Sequence, residues 1–258
     1  MKIIDLSVSI KDNLPVDPDV QVAHVNYVKH GSDMSISTML ASFPGTTRDD
    51  LKEGYGWAIE LLQLGSHTGT HMDAPYHYHP TMNNGEKAWT IDQIPLEWCI
   101  GNGVLFDFSD KPDGYVCTSK DFEAYLERIN YQLKAGDIVL VHTNAMTEWG
   151  KPEYMLKGCG VGREGTLWLA KQGIHIVGTD AWSWDAPLPL TAKKFKENHD
   201  KNLIWEGHKA GSECIYCHME KMNNLAQLPP TGFQVMAFPI KIAEGSAGWV
   251  RPVALLND

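Results

Sequence analysis

The stretch His67-Thr68-Gly69-Thr70-His71-Met72-Asp73-Ala74-Pro75-Tyr76-His77 limits what this chain can become more than any other. It sets three imidazoles and a carboxylate within eleven residues, and these are ligands of choice for Zn²⁺ and Mn²⁺. Packing alone does not call for that density. On a helix His67 and His71 would share one face, but Gly69, the flanking threonines and Ala74-Pro75 argue against a helix. In an extended chain His67, His71, Asp73 and His77 all fall on one side. A straight strand would still hold His67 and His71 about 13 Å apart, whereas two ligands of one ion sit about 3–4 Å apart. The chain therefore has to curl between them, and Gly69 is the residue that permits it. Pro75 then ends strand pairing and sets the direction in which His77 leaves. The apolar run before the stretch, residues 58–64, reads as a buried strand.

A length of 258 residues with 43% apolar side chains suits one domain, spanning 1–258, with a sizeable core. The net charge of −10 argues against nucleic acid as a partner, because phosphate binding needs a basic face. No apolar run reaches the length of about 18 residues that a membrane helix needs. The start, Met1 to Leu6, carries charges and reads as a first strand rather than a signal peptide, so a cytoplasmic protein is expected. Five scattered cysteines fit reduced thiols better than a disulfide framework. Cys214 to His218 forms a CxxCH, the pattern of c-type haem attachment; without an export signal it reads as coincidence. Gly160 to Gly165 forms a GxGxxG, but it follows no predicted strand and lacks the context of a dinucleotide site.

Residues 11–56 are rich in Asp, Pro, Ser and Gly and read as long loops with short strands, with His24 and His30 as loop histidines. Phe43, Tyr55 and Trp57 stand close before the histidine stretch as candidate pocket walls or core residues. Residues 103–108 read as a strand. Thr118 and Asp121 form a capping box that opens a helix with an apolar stripe of Phe122, Tyr125, Leu126, Ile129 and Leu133. Strand 138–143, helix 162–172 capped by Gly173, and strand 174–180 follow, an α/β alternation. Ligands in such folds gather at strand C-terminal ends, where Asp180, Trp182, Ser183, Trp184 and Asp185 stand. His142 ends its own strand and is expected in a hydrogen-bonded structural role. Residues 191–202 read as a solvated loop or short helix, and 233–242 and 248–255 as long closing strands.

The histidine stretch resembles the HxGTHxDxPxH signature of the metal-dependent hydrolases known as the cyclase family, which includes bacterial kynurenine formamidases, isatin hydrolases and trans-dienelactone hydrolases. Every fixed position of that signature is present. The resemblance implies that His67, His71 and Asp73 bind metal and that His77 moves protons as acid and base. It also implies a second pair, a His followed twelve residues later by a Glu, which His208 and Glu220 match. With Asp73 bridging, they would complete a two-metal site; a single ion is the alternative. The Asp180-x-x-Ser183-x-Asp185 stretch has a family counterpart lining the site, and His79 could stand behind it. The implied fold is a compact α/β domain of the swivelling β/β/α type with a mixed sheet.

A divalent ion lowers the pKa of its water from about 16 to about 7, which makes hydroxide available at neutral pH for attack on a carbonyl. An imidazole such as His77 titrates in the right range to take up and return the proton. The expected activity is therefore metal-dependent hydrolysis of a small amide or ester, with Zn or Mn, one or two ions per chain. The tryptophans at 182 and 184 would suit a flat ring, and the extra loop length favours a cyclic, isatin-like amide. A dienelactone-type lactone and an N-formylkynurenine-type formamide are the alternatives. A metal-binding protein without turnover is the non-enzymatic one, although it would have no need of His77. A symmetric homo-oligomer, dimer or tetramer, is the default assembly.

Overall fold

The computed structural model describes residues 1–256. Nine strands form one sheet: β1 (Lys2–Asp5), β2 (His71–Asp73), β3 (Ile100–Asp107), β4 (Ile138–His142), β5 (Ile176–Thr179), β6 (Cys217–Glu220), β7 (Phe233–Met236), β8 (Ala247–Trp249) and β9 (Val253–Leu256). Their spatial order is β1-β9-β7-β3-β4-β5-β6-β2-β8. The four central strands, β3 to β6, run parallel. Antiparallel strands complete both sides, so the fold is mixed α/β as expected.

The two edges of this sheet lie close together. β8 is one edge of the strand order and β9 is next to the other edge, β1, yet only residues 250–252 join β8 to β9. That connection spans at most about 14 Å, so the sheet has to curl until its ends approach. The amides of Val250 and Val8 bond to the Thr70 carbonyl and hydroxyl, at 3.1 and 2.9 Å, and fasten the seam. The curl encloses one apolar layer that draws on both ends, including Ile4, Met72, Leu140, Met219, Val235 and Ala254. The opposite face carries Phe106, Val139, Val141 and Val177, covered by helices Ser119–Ile129 and Arg163–Lys171. Strand alternation divides the two: Met72 and Met219 point inward, so His71, Asp73, His218 and Glu220 share the helix-covered face.

The capping box at Thr118 and the Gly173 turn are present, the latter at φ 81°. Several expectations change. Strand Ile59–Gln63 exists but is exposed throughout, because it pairs only with His24–Val28 in a two-stranded ribbon outside the main sheet. Helix Asp33–Ser42, capped by Ser32, lies where loops were expected; it buries only Ser35 and Ile36 and so leaves no apolar stripe to read. The segment 248–255 divides into β8 and β9, with Pro252, which has no amide to donate, in the break. The strand expected over 233–242 stops at Met236. Phe43, Tyr55 and Trp57 stand exposed rather than packed. No helix among the described residues is long and apolar enough to cross a membrane.

The GxGxxG glycines do have a physical reason. Gly160-Val161 is a short strand paired with Val116-Cys117, although sequence reading placed none there. A Cβ on Gly160 would overlap the backbone of Asp185 and Ala186, and one on Gly165 would lie 2.9 Å from the Cys117 carbonyl oxygen. The motif therefore lets a helix pack closely. Gly160→Ala is expected to destabilise the fold by about 2–3 kcal/mol, read as a lower urea midpoint with an unchanged slope.

Candidate metal centre

The backbone curls at Gly69, as the spacing of the histidines requires, with φ at 65°. The Gly69 carbonyl lies 2.8 Å from His71 Nδ1, which leaves Nε2 free to face the cluster. His67 Nδ1 comes to 2.8 Å and His71 Nε2 to 3.2 Å from Asp73 Oδ1. Pro75 opens a single helical turn, Pro75–Tyr78, instead of continuing an extended chain. That turn brings His77 back over Asp73, with Nε2 3.6 Å from Oδ2.

The distant half of the cluster arrives through sheet register. β6 runs antiparallel to β2, with Glu220 opposite His71 and His218 opposite Asp73. His208, on the turn Glu206–Lys209, places Nε2 3.7 Å from both Asp73 Oδ2 and Glu220 Oε1. All six residues expected at the site therefore converge. His71, Asp73, His208 and Glu220 are buried, and His67 and His77 are partly exposed at the mouth.

Sequence reading missed His218. It was set aside with the CxxCH pattern, yet its Nε2 lies 3.0 Å from Asp73 Oδ2 and 3.1 Å from Glu220 Oε1. The readable signal was the His-x-Glu alternation on a strand, which puts residues 218 and 220 on one face. Cys217 and Met219, which alternate with them, point into the enclosed apolar layer.

The surroundings hold these groups in place. Asp185 accepts hydrogen bonds from the amides of Gly207 and His208, and its Oδ2 lies 2.5 Å from His208 Nδ1. Lys221, buried, bonds to Asp17 and to the His67 carbonyl, the latter at 3.0 Å. Trp184 is buried and donates its backbone amide to Glu220 and its indole N–H to Thr166; Trp182 donates to Asp17. Trp184 is thus closed to a substrate ring, and Trp182 packs half-buried against Val16, Ala145 and Tyr154. The ring that does face the site is Trp205, stacked on His208 at 4.2 Å and edge-on to His77 at 5.1 Å. Asp180 accepts from Thr143 and stands near His142, away from the cluster; His142 contacts Asp107, and His79 is exposed beside Thr81.

The donor set fits a divalent cation. His71 Nε2, His218 Nε2 and both Asp73 carboxylate oxygens are buried with neighbours at contact distance, yet none is aligned in a hydrogen bond. Buried polar atoms are rarely left so. Two groups of His and carboxylate atoms have the dimensions of a metal site: Asp73, His208, His218 and Glu220, and Asp73, His67 and His77. His71 also lies within reach of both carboxylates.

Burial and mutual interaction shift the pKa values of these groups. Burial works to raise the pKa of Asp73, but the surrounding imidazoles, His71 first, hold it well below the usual carboxylate range. Burial likewise opposes ionisation of Glu220, yet His218 brings it to about 2. Burial pulls His208 down, and the carboxylates of Asp185 and Asp73 outweigh it and lift it to about 10. Burial dominates at His77 and lowers it to about 4, below the near-neutral range expected of it from sequence.

Fold and site together define a mixed α/β protein with a buried His–carboxylate cluster of metal-site dimensions. The chain belongs to the Cyclase family, whose model matches residues 4–186, a span that includes His67 to His77 and ends before His208. It is 24% identical over 217 residues to a kynurenine formamidase of Erythrobacter litoralis, covering 82% of each chain. It is 26% identical over 205 residues to one of Salinibacter ruber, covering 76% of this chain and 78% of that one. Among solved structures, an isatin hydrolase bound to the product analogue thioisatinate superposes with a TM-score of 0.77 at 17% identity, covering 100% of this chain and 93% of that chain. Isatin hydrolase A of Ralstonia solanacearum superposes at 0.75 with 22% identity, covering 99% and 92%. These two likenesses are of fold.

At pH 7 the metal-free chain carries a proton on His208, since about 10 lies above 7. A ligating imidazole must be neutral, so metal binding releases that proton. Apparent metal affinity is expected to rise with pH between 6 and about 9. Calorimetric titration in buffers of different ionisation enthalpy should show proton release. Asp185→Asn should weaken metal binding by about 10–100-fold, because it loosens the orientation of His208.

Proposed function

We propose that the protein is a metal-dependent hydrolase that cleaves the carbon–nitrogen bond of a small amide, with His67, His71, Asp73, His208 and Glu220 as metal ligands and His77 as acid/base. The observation that carries this reading is the buried set of unpartnered ligand atoms around Asp73. A divalent ion held there, Zn²⁺ or Mn²⁺, supplies a water that ionises near neutral pH and a Lewis acid for the carbonyl.

The chain's own residues do the rest. His77 sits at the mouth with a quarter of its side chain exposed, neutral at pH 7 in the metal-free chain, and can accept a proton from the attacking water. Returned to the departing nitrogen, that proton lets the carbon–nitrogen bond break. Asp185 keeps His208 in one orientation, and Lys221 holds the His67 backbone. Trp205 forms a wall shared with an apolar cavity of about 320 Å³, lined also by Leu188, Phe195, Leu203 and Ile204. None of the proposed ligands lines that cavity, and the Trp205 ring, stacked on His208, stands between the two.

The likeness of fold to isatin hydrolases supports a cyclic, isatin-like amide. The likeness to curated kynurenine formamidases supports an aryl formamide as strongly. A panel of isatin, N-formylkynurenine and dienelactone, offered to Zn- and Mn-loaded protein, separates these readings. Hydrolysis of none of them, with stoichiometric metal bound, would leave a binding protein instead. His77→Ala is expected to keep its metal by elemental analysis and to lose about 10²–10⁴-fold in kcat. Asp73→Ala should lose metal and activity together.

A further inference from the structure

We infer that His218 is itself a metal ligand, through Nε2, of the ion that Asp73, His208 and Glu220 would hold. The inference rests on the metal-dependent reading above and adds a residue that the spacing of the other ligands does not contain.

Position is the first ground. Nε2 of His218 lies 3.0 Å from Asp73 Oδ2 and 3.1 Å from Glu220 Oε1, and all four residues offer atoms within 4.8 Å of one another. Metal bonds of about 2.0–2.2 Å place neighbouring ligand atoms about 3 Å apart or slightly more.

The second ground is what Nε2 lacks. Its residue has no exposed surface, and despite the short distances Nε2 makes no aligned hydrogen bond to either carboxylate. An N–H at that position would have two anionic acceptors beside it and point at neither. A lone pair directed at a cation between the carboxylates accounts for the geometry.

The third ground is the other edge of the ring. Nδ1 lies 3.2 Å from the Tyr78 hydroxyl, which donates to the Asp73 carbonyl at 3.3 Å and accepts from the His218 amide at 3.1 Å. With the hydroxyl proton on that carbonyl, the Tyr78 oxygen is the acceptor for Nδ1–H, and Nε2 is left bare. Metal-bound histidines have this arrangement, with the far nitrogen donating to a fixed partner. His208 repeats it with Asp185. Tyr78 at 5.0 Å and Trp184 at 6.1 Å stack on the His218 ring and fix its plane.

The test is zinc binding by metal-stripped protein in competition with a chromophoric chelator, for wild type, His218→Ala and Tyr78→Phe. Wild type is expected to take up two ions, one for each group of ligand atoms around Asp73, and uptake of a single ion that His218→Ala does not weaken overturns the assignment. His218→Ala should weaken one of them by about 100-fold or more and spare the other, and Tyr78→Phe should weaken the same one by about 10-fold. Wild-type binding in both variants overturns the assignment and leaves the hydrolase reading standing. Wild-type protein that binds no ion overturns both. Should His218→Ala fail to fold, the anomalous signal of zinc in wild-type crystals decides: an ion about 2.1 Å from His218 Nε2 is expected, and separation beyond about 3 Å rejects the ligand role.

Discussion

Two ionised carboxylates share a space almost closed to water, and the pairing of β2 with β6 holds them there. Asp73 has no exposed surface and Glu220 has 6%. Burying such charges is strongly unfavourable unless each finds compensation. The antiparallel register supplies it locally: Asp73 faces His218 and Glu220 faces His71. A slip of one residue would swing Asp73 into the enclosed apolar layer and bring Met72 into the cluster. The surrounding arrangement serves this pairing. Asp185 orients His208 from outside, and Trp184 gives Glu220 a backbone donor.

The curled sheet explains how a site on a nine-stranded sheet can be both buried and rigid. Because only three residues join β8 to β9, the short strand β2 is held between β6 and β8 close to the seam. Thr70, inside the histidine stretch, takes part in the closure: it receives bonds from Val8 and Val250 and donates to the Lys221 carbonyl at 2.7 Å. The residue next to a proposed ligand thus bonds to the one after Glu220. Ligand spacing and sheet closure are set by the same few hydrogen bonds.

Much of the site was legible because its chemistry is dense in the sequence. His67 to His77 announces itself by residue type, and the curl at Gly69 follows from strand geometry. The α/β alternation from 119 to 180 follows from a capping box, an apolar stripe and two apolar runs. What was not legible depended on pairing. His218 became meaningful only when β6 lay beside β2. The ribbon strand 59–63 looked buried because its residues are apolar, but burial depends on a facing layer that this ribbon lacks within the chain. Trp182 and Trp184 suggested a ring-binding wall by composition, while their indole N–H groups were committed to Asp17 and Thr166. Trp205, in a polar segment, carried no such cue.

The buried link between Lys221 and Asp17 has a consequence for how the protein is made. Its partners are separated by 204 positions, and the carboxylates of the cluster by 147. During synthesis the N-terminal strand and the whole histidine stretch leave the ribosome long before the segments that neutralise and enclose them. Such distant pairings fold slowly, since a large loop has to close before any contact rewards it. A nascent chain therefore holds Asp73 in water, open to any cation in its surroundings, until the last third emerges and the sheet shuts around it.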